Sequence, residues 1–345
     1  SKGELVENLQ IPISAGADID KDSVDTYNIP FLVYSFEEEG KISSFIIKGN
    51  GKSMGDTREN RQLKSSSSAM VGLTKVFFFS EASATFGLKN FLDIFINNPQ
   101  INDRAVCVVC TGKTEDMLKY KVEGYPNSAE YTEKMIDNLQ QYNFYPMQYT
   151  LIDLLVRVDA EGRNALLPII EIKDTSIETT GLAIFKKDKL VGKADLQEAR
   201  IINILKENNV KGILTLQKDE KKYINCYTVS KRKIKCDKIK GKYKFVITLD
   251  LKGDIVSNEL YKNLYIDPQV LKKFEENMKI YVDKMCNESI KKIKCKYKTD
   301  VLDLGRVAIA KYGRGTVSDW NKVICDSDIQ VNVKFSVDTE GRGDF

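Results

Sequence analysis

The chain has 345 residues, of which 42% are hydrophobic and 30% charged, with a net charge of +4. That balance belongs to a folded globular protein and excludes a disordered one, and the length exceeds one ordinary core. No run approaches the roughly 18 apolar residues that span a bilayer; the start at Ser1 without Met points to a processed N-terminus.

Residues 1–10 read as a polar arm, followed by strands over 11–20, 30–36 and 42–48, with a turn at 37–41. Next comes GNGKSMGD. Gly51-Lys52-Ser53 suggests a phosphate loop, but the motif requires a glycine where Ile46 stands. Gly51 to Gly55 also spell G-x-S-x-G, the letters of a nucleophile elbow. The chain contains no histidine to serve as its base, which also removes Ser-His-Asp and Cys-His catalysis. The glycines read better as a turn.

A helix is expected over 57–70, a strand over 76–79, a helix over 88–96 and a buried strand over 105–110. Cys107 and Cys110 have C-x-x-C spacing, but they lie inside that apolar strand, where residues three apart point to opposite faces. No second cysteine pair or histidine completes a zinc shell, and seven scattered cysteines make no disulfide framework. Both are read as structural thiols. Helices follow over 115–120 and 128–142, then strands over 156–158 and 166–172 across the turn Glu161-Gly162-Arg163. The alternation of strands and helices indicates mixed α/β packing.

The stretch GLAIFKKDKLVGKAD, Gly181 to Asp195, reads as a β-hairpin with a charged tip. Asp195 and Glu198 then start a helix striped by Leu196, Ala199, Ile202 and Leu205. This hairpin is taken as the opening of a second folding unit. The expected division is an N-terminal region 1–174, with two sub-domains split near 115–125, and a C-terminal domain 175–345. A lysine-rich meander follows, with eleven Lys or Arg against three acids between Lys218 and Lys244. It reads as a solvated face; no aromatic ladder of a nucleic-acid binder accompanies it. Its strands are expected over 213–216, 223–229, 233–236 and 244–251, with a hairpin at Lys240-Gly241-Lys242. Asp267-Pro268 opens the longest helix, with Leu271, Phe274, Met278, Val282 and Met285 inward. A helix over 300–312 and a strand over 329–337 complete the chain.

In this order the elements resemble the Ger(x)C family, the C-subunit lipoproteins of spore germinant receptors in endospore-forming bacteria. The likeness rests on Glu4-Leu5 with Gly16–Asp20, on MVGLTKVFFF at 70–79, and on Phe95–Ile101, where Asn97 replaces an arginine. Leu73 stands where members often have histidine. Val109–Lys113, the hairpin GLAIFKKDKLVG, and Asp303-Leu304-Gly305 with Tyr312 and Trp320 complete it. The resemblance implies a three-domain mixed α/β (α+β) lipoprotein, non-enzymatic and without cofactor, metal or catalytic residues. It implies an anchor on the outer face of the spore inner membrane through an acylated Cys preceding Ser1. It also implies A and B membrane subunits as partners, and no nucleic acid. The partner contacts are not identified by it; exposed residues at domain junctions, such as the turn around Gly49–Asp56, are expected to be among them. Two other readings stay open: a small-molecule module that senses the nutrient itself, and a soluble enzyme using acids such as Asp18, Asp20 or the Asp93–Lys113 region.

Overall fold

The computed structural model describes residues 10–20, 26–36, 40, 42–51, 74–97, 102–147 and 149–338. The expected arm, the helix over 57–70, the G-x-S-x-G and phosphate-loop letters beyond Gly51, and the chain's last residues lie outside them. Two compact units form, one within Ser1–Ile136, Gln148–Ala160 and Ala165–Leu196, the other within Asp137–Met147, Glu161–Asn164 and Gln197–Phe345.

The first unit is built on an eight-stranded sheet. Its strands are β1 (Gln10–Asp20), β2 (Thr26–Phe36), β3 (Ile42–Gly51), β4 (Val76–Ser80), β5 (Val106–Cys110), β6 (Leu166–Lys173), β7 (Ser176–Lys186) and β8 (Lys189–Asp195), in the order β3-β2-β1-β4-β5-β6-β7-β8. The middle run, β1-β4-β5-β6, is parallel, and antiparallel hairpins flank it on both sides. Parallel strands are covered on both faces and so read as unbroken apolar runs. β4, Val-Phe-Phe-Phe-Ser, is buried at every position.

Among the described residues, five helices belong to this part of the chain: α1 (Glu81–Phe86), α2 (Lys89–Ile96), α3 (Thr114–Lys119), α4 (Ser128–Tyr142), which runs on into the second unit, and α5 (Leu151–Val158). Phe95 of α2 lies 4.6 Å from the ring of Phe77 and 6.2 Å from that of Phe79, on one face of β4.

One expectation is corrected here. The expected strand at 156–158 is the last turn of α5. Thr150 Oγ1 accepts from the Asp153 N–H at 3.3 Å to cap it, and Leu151, Leu154 and Val158 form its buried stripe. Val156 and Val158 flank Arg157 in a strand-like alternation, but the helical period of Leu151, Leu154 and Val158 decides the local structure. The hairpin β7–β8 is hydrogen-bonded into the first sheet. β7 pairs with β6 along Leu166–Lys173, so the first sheet runs straight through the 174–175 boundary. The strands on either side of 115–125, β5 and β6, are neighbours in that sheet.

The second unit carries a four-stranded sheet, order β12-β11-β10-β9, from β9 (Asn209–Gln217), β10 (Tyr223–Ile239), β11 (Lys242–Asn258) and β12 (Asp328–Val337). The strands expected over 223–229 and 233–236 are one 17-residue strand. It turns into β11 through Lys240 and Gly241, both at positive φ (52° and 79°), the geometry of a tight hairpin. Tyr243, Phe245, Ile247, Leu249 and Leu251 alternate inward along β11.

The unit's helices are α6 (Leu196–Lys206), which begins at its border, α7 (Pro268–Lys292) continued by a wide turn at Ile293–Tyr297, α8 (Leu304–Tyr312) and α9 (Trp320–Asp326). Asp267 Oδ1 accepts from the Gln269 N–H at 2.9 Å to cap α7, as its Asp-Pro start predicts. Phe274, Met278 and Val282 are buried, and the stripe continues through Cys286 and Ile290, with Leu271 and Met285 at its margins. Phe274 meets Phe335 of β12 at 5.7 Å.

Candidate functional site

Several residues singled out in the sequence are packed or hydrogen-bonded within the fold. Cys107 and Cys110 of β5 are both completely buried, and burial pushes both thiols well above their ordinary range. Asp18, at the end of β1, accepts from the N–H of Thr114 at 2.8 Å and of Glu115 at 3.3 Å, capping α3. Burial raises its carboxyl despite those donors. Lys231, Lys233 and Lys235 project from one exposed face of β10. Among the described residues no group of His, Cys, Asp or Glu is gathered to hold a metal ion, and no helix is long and apolar enough to cross a membrane.

Two constellations in the second unit were not foreseen. The first is a knot around Asp300, which is 1% exposed. Its Oδ1 accepts from the N–H groups of Leu302 (3.2 Å) and Leu304 (3.1 Å), and its Oδ2 from that of Gly305 (2.8 Å). Asp303 takes the left-handed conformation, φ 56°. The knot therefore delays the helix expected from 300 until Leu304. Burial pushes the Asp300 carboxyl up to about 7, against the pull of those three N–H donors. Asn164 joins the knot, donating to the Asp300 carbonyl at 2.9 Å and to Asn321 Oδ1 at 2.7 Å.

The second is a cleft of about 330 Å³ between α6, β9 and α7, lined by Gln197, Arg200, Ile201, Leu214, Thr215, Gln217 and Tyr281. Among the described residues Arg200 is its only charged group. The guanidinium donates through Nη2 to the Ile213 carbonyl and through Nη1 to Gln197 Oε1 at 3.4 Å. Its Nε is enclosed without a hydrogen-bond partner. The carbon of the guanidinium stands 5.5 Å from the centre of the Phe144 ring. Burial draws the pKa of Arg200 down, partly offset by the Tyr281 and Tyr145 phenols. No acid among the described residues lies within ion-pair distance of it. The lining holds no carboxylate, thiol or imidazole, so the cleft has binding groups without a general acid–base pair. No motif in the sequence marks it, since its lining residues come from three separate elements.

Comparison with known proteins places both halves. Residues 3–172 match the family described as spore germination protein N-terminal domain, and residues 180–341 that described as spore germination B3/GerAC like, C-terminal. The chain is 23% identical over 294 residues to the spore germination protein GerQC of Bacillus cereus, covering 84% of this chain and 80% of that one. To the spore germination protein YndF of Bacillus subtilis it is 22% identical over 260 residues, 73% of this chain and 64% of that one. The fold is similar to the crystal structure of the GerBC protein, with a TM-score of 0.59, 15% identity and coverage of 97% and 99% of the two chains.

Proposed function

Since this chain belongs to the Ger(x)C family, the germinant-receptor C subunits, we propose that it is the non-enzymatic lipoprotein subunit of a nutrient germinant receptor. In this reading an acylated Cys ahead of Ser1 holds it to the outer face of the spore inner membrane, where it acts with A and B membrane subunits in nutrient-triggered germination. The observation that carries the reading is the extent and order of the match: two consecutive family regions, 3–172 and 180–341, account for nearly the whole chain. A diacylglyceryl group on the preceding Cys would supply two acyl chains, enough for stable anchoring where one alone gives only reversible binding.

The test begins with the gene. Codons upstream of Ser1 should encode an apolar stretch ending in an acylation-site cysteine, and neighbouring genes should encode two membrane proteins. Spores lacking the gene should lose their response to at least one nutrient, and replacing the acylated cysteine should release the protein from the membrane fraction. A gene without that cysteine, or null spores that germinate normally on every nutrient, would sink the reading.

A further inference from the structure

Arg200 brings a positive charge into a cleft that offers it no acid. A guanidinium has five N–H donors, and here two have protein partners while Nε, shut away from solvent, has none. An enclosed donor without a partner costs stability, and a desolvated cation costs more. The bond to Gln197 is long at 3.4 Å, so an incoming oxygen can replace it at little loss. The Phe144 ring lies beside the guanidinium, its centre 5.5 Å from the central carbon, and Arg200 lines the cleft.

The remaining lining selects among anions. Gln197, Thr215, Gln217 and Tyr281 offer neutral amides and hydroxyls. Thr215 Oγ1 donates to Asn225 Oδ1 at 2.6 Å, so its oxygen is left as an acceptor. Ile201 and Leu214, 2% and 4% exposed, give an apolar floor. One cation balances one carboxylate, whereas a doubly charged phosphate calls for several donors or a second cation. With no acid in the lining, an ammonium group would find no counter-charge. About 330 Å³ holds a small molecule at the lower end of ligand-site sizes.

We propose that this cleft is a binding site for a small organic carboxylate, its two oxygens taken by the planar fork of Arg200 and its body held by Gln217, Tyr281 and the apolar floor. The proposal stands independently of the receptor reading, since it concerns the chain alone.

The test is calorimetric titration and thermal unfolding of the whole purified chain with sodium acetate, succinate and benzoate. Glycine, inorganic phosphate and sodium chloride at matched ionic strength serve as comparators. At least one carboxylate should saturate at one per chain in the millimolar range or below and raise Tm, with sodium chloride doing neither. Arg200→Lys keeps the charge and loses the fork, and should weaken that binding by about tenfold or more. Gln217→Ala, at an exposed strand end, should weaken it several-fold with the fold intact, and so serves if Arg200 variants fail to fold. Three results would overturn the proposal: no saturation by any carboxylate, equal binding of phosphate, or binding that Arg200→Lys or Gln217→Ala leaves unchanged.

Discussion

Gly162 and Gly305 meet backbone to backbone. A methyl group built on Gly305 would lie 2.7 Å from the Gly162 Cα and 3.0 Å from its carbonyl oxygen. The Gly162 carbonyl accepts from the Arg306 N–H at 3.0 Å, so the loop and the start of α8 are bonded at the point of closest approach. Gly162 also has φ 74°, which disfavours any side chain there. Gly305→Ala should therefore force the two backbones apart and cost about 1–3 kcal/mol. Urea unfolding followed by circular dichroism measures it; an unchanged midpoint would show that the contact is looser than described.

Asp300 makes the second unit sensitive to pH. Its carboxyl, held at about 7 by burial, keeps a proton in the folded chain at pH 5 that an unfolded aspartic acid, near 4, has released. The folded state thus binds more protons between about pH 4 and 7, so this group's contribution to stability falls as pH rises through that window and levels off above it. Asp300→Asn should flatten that part of the profile. It should also destabilise by about 1–3 kcal/mol, because an amide NH₂ cannot accept from the Gly305 N–H. Denaturation midpoints from pH 5 to 8 for both proteins supply the check, and parallel profiles would count against the assignment.

Much of this was legible where local pattern and tertiary need agree. The alternation along β12, the Asp-Pro start of α7 and the unbroken apolar letters of β4 and β5 each report their own burial. The hairpin β7–β8 was legible as a hairpin, but not as the edge of the first sheet, because which strand β7 pairs with depends on β6 and leaves no local mark. Asp300 looked like an ordinary helix start, since the three N–H groups that enclose it are backbone and carry no letter. The Arg200 cleft was hidden for a related reason: Arg200, Thr215 and Tyr281 come from three separate elements, and only the fold makes them neighbours.

Asp18 is the cap of α3 from a distant strand. Removing its carboxylate leaves the Thr114 and Glu115 N–H groups without their acceptor, and Thr114 is itself fully buried. Asp18→Ala should cost about 0.5–2 kcal/mol, the usual range for a lost cap. Asp18→Asn, which keeps one acceptor oxygen, should recover part of the loss. Urea midpoints of the two variants decide it: equal values would separate the cap from the stability of the unit.

Thiol chemistry tests the reading of the C-x-x-C pair. In an extended strand, residues three apart are separated by about 10 Å, beyond the ~7 Å between Cα atoms that a disulfide can bridge. Cys107 and Cys110 are moreover fully buried in β5, their thiols pushed well up by burial, which suppresses the thiolate that would attack a disulfide or bind a metal. Cys295 is exposed, Cys325 half-buried, and the other five are enclosed. Alkylation of the native protein at pH 8 should modify Cys295 first and Cys325 more slowly, with Cys107 and Cys110 protected until denaturant is added. Peptide mapping after mild oxidation should find no link between those two. A Cys107–Cys110 disulfide, or their fast labelling in the native chain, would mean that β5 opens locally and that the pair is a redox couple after all.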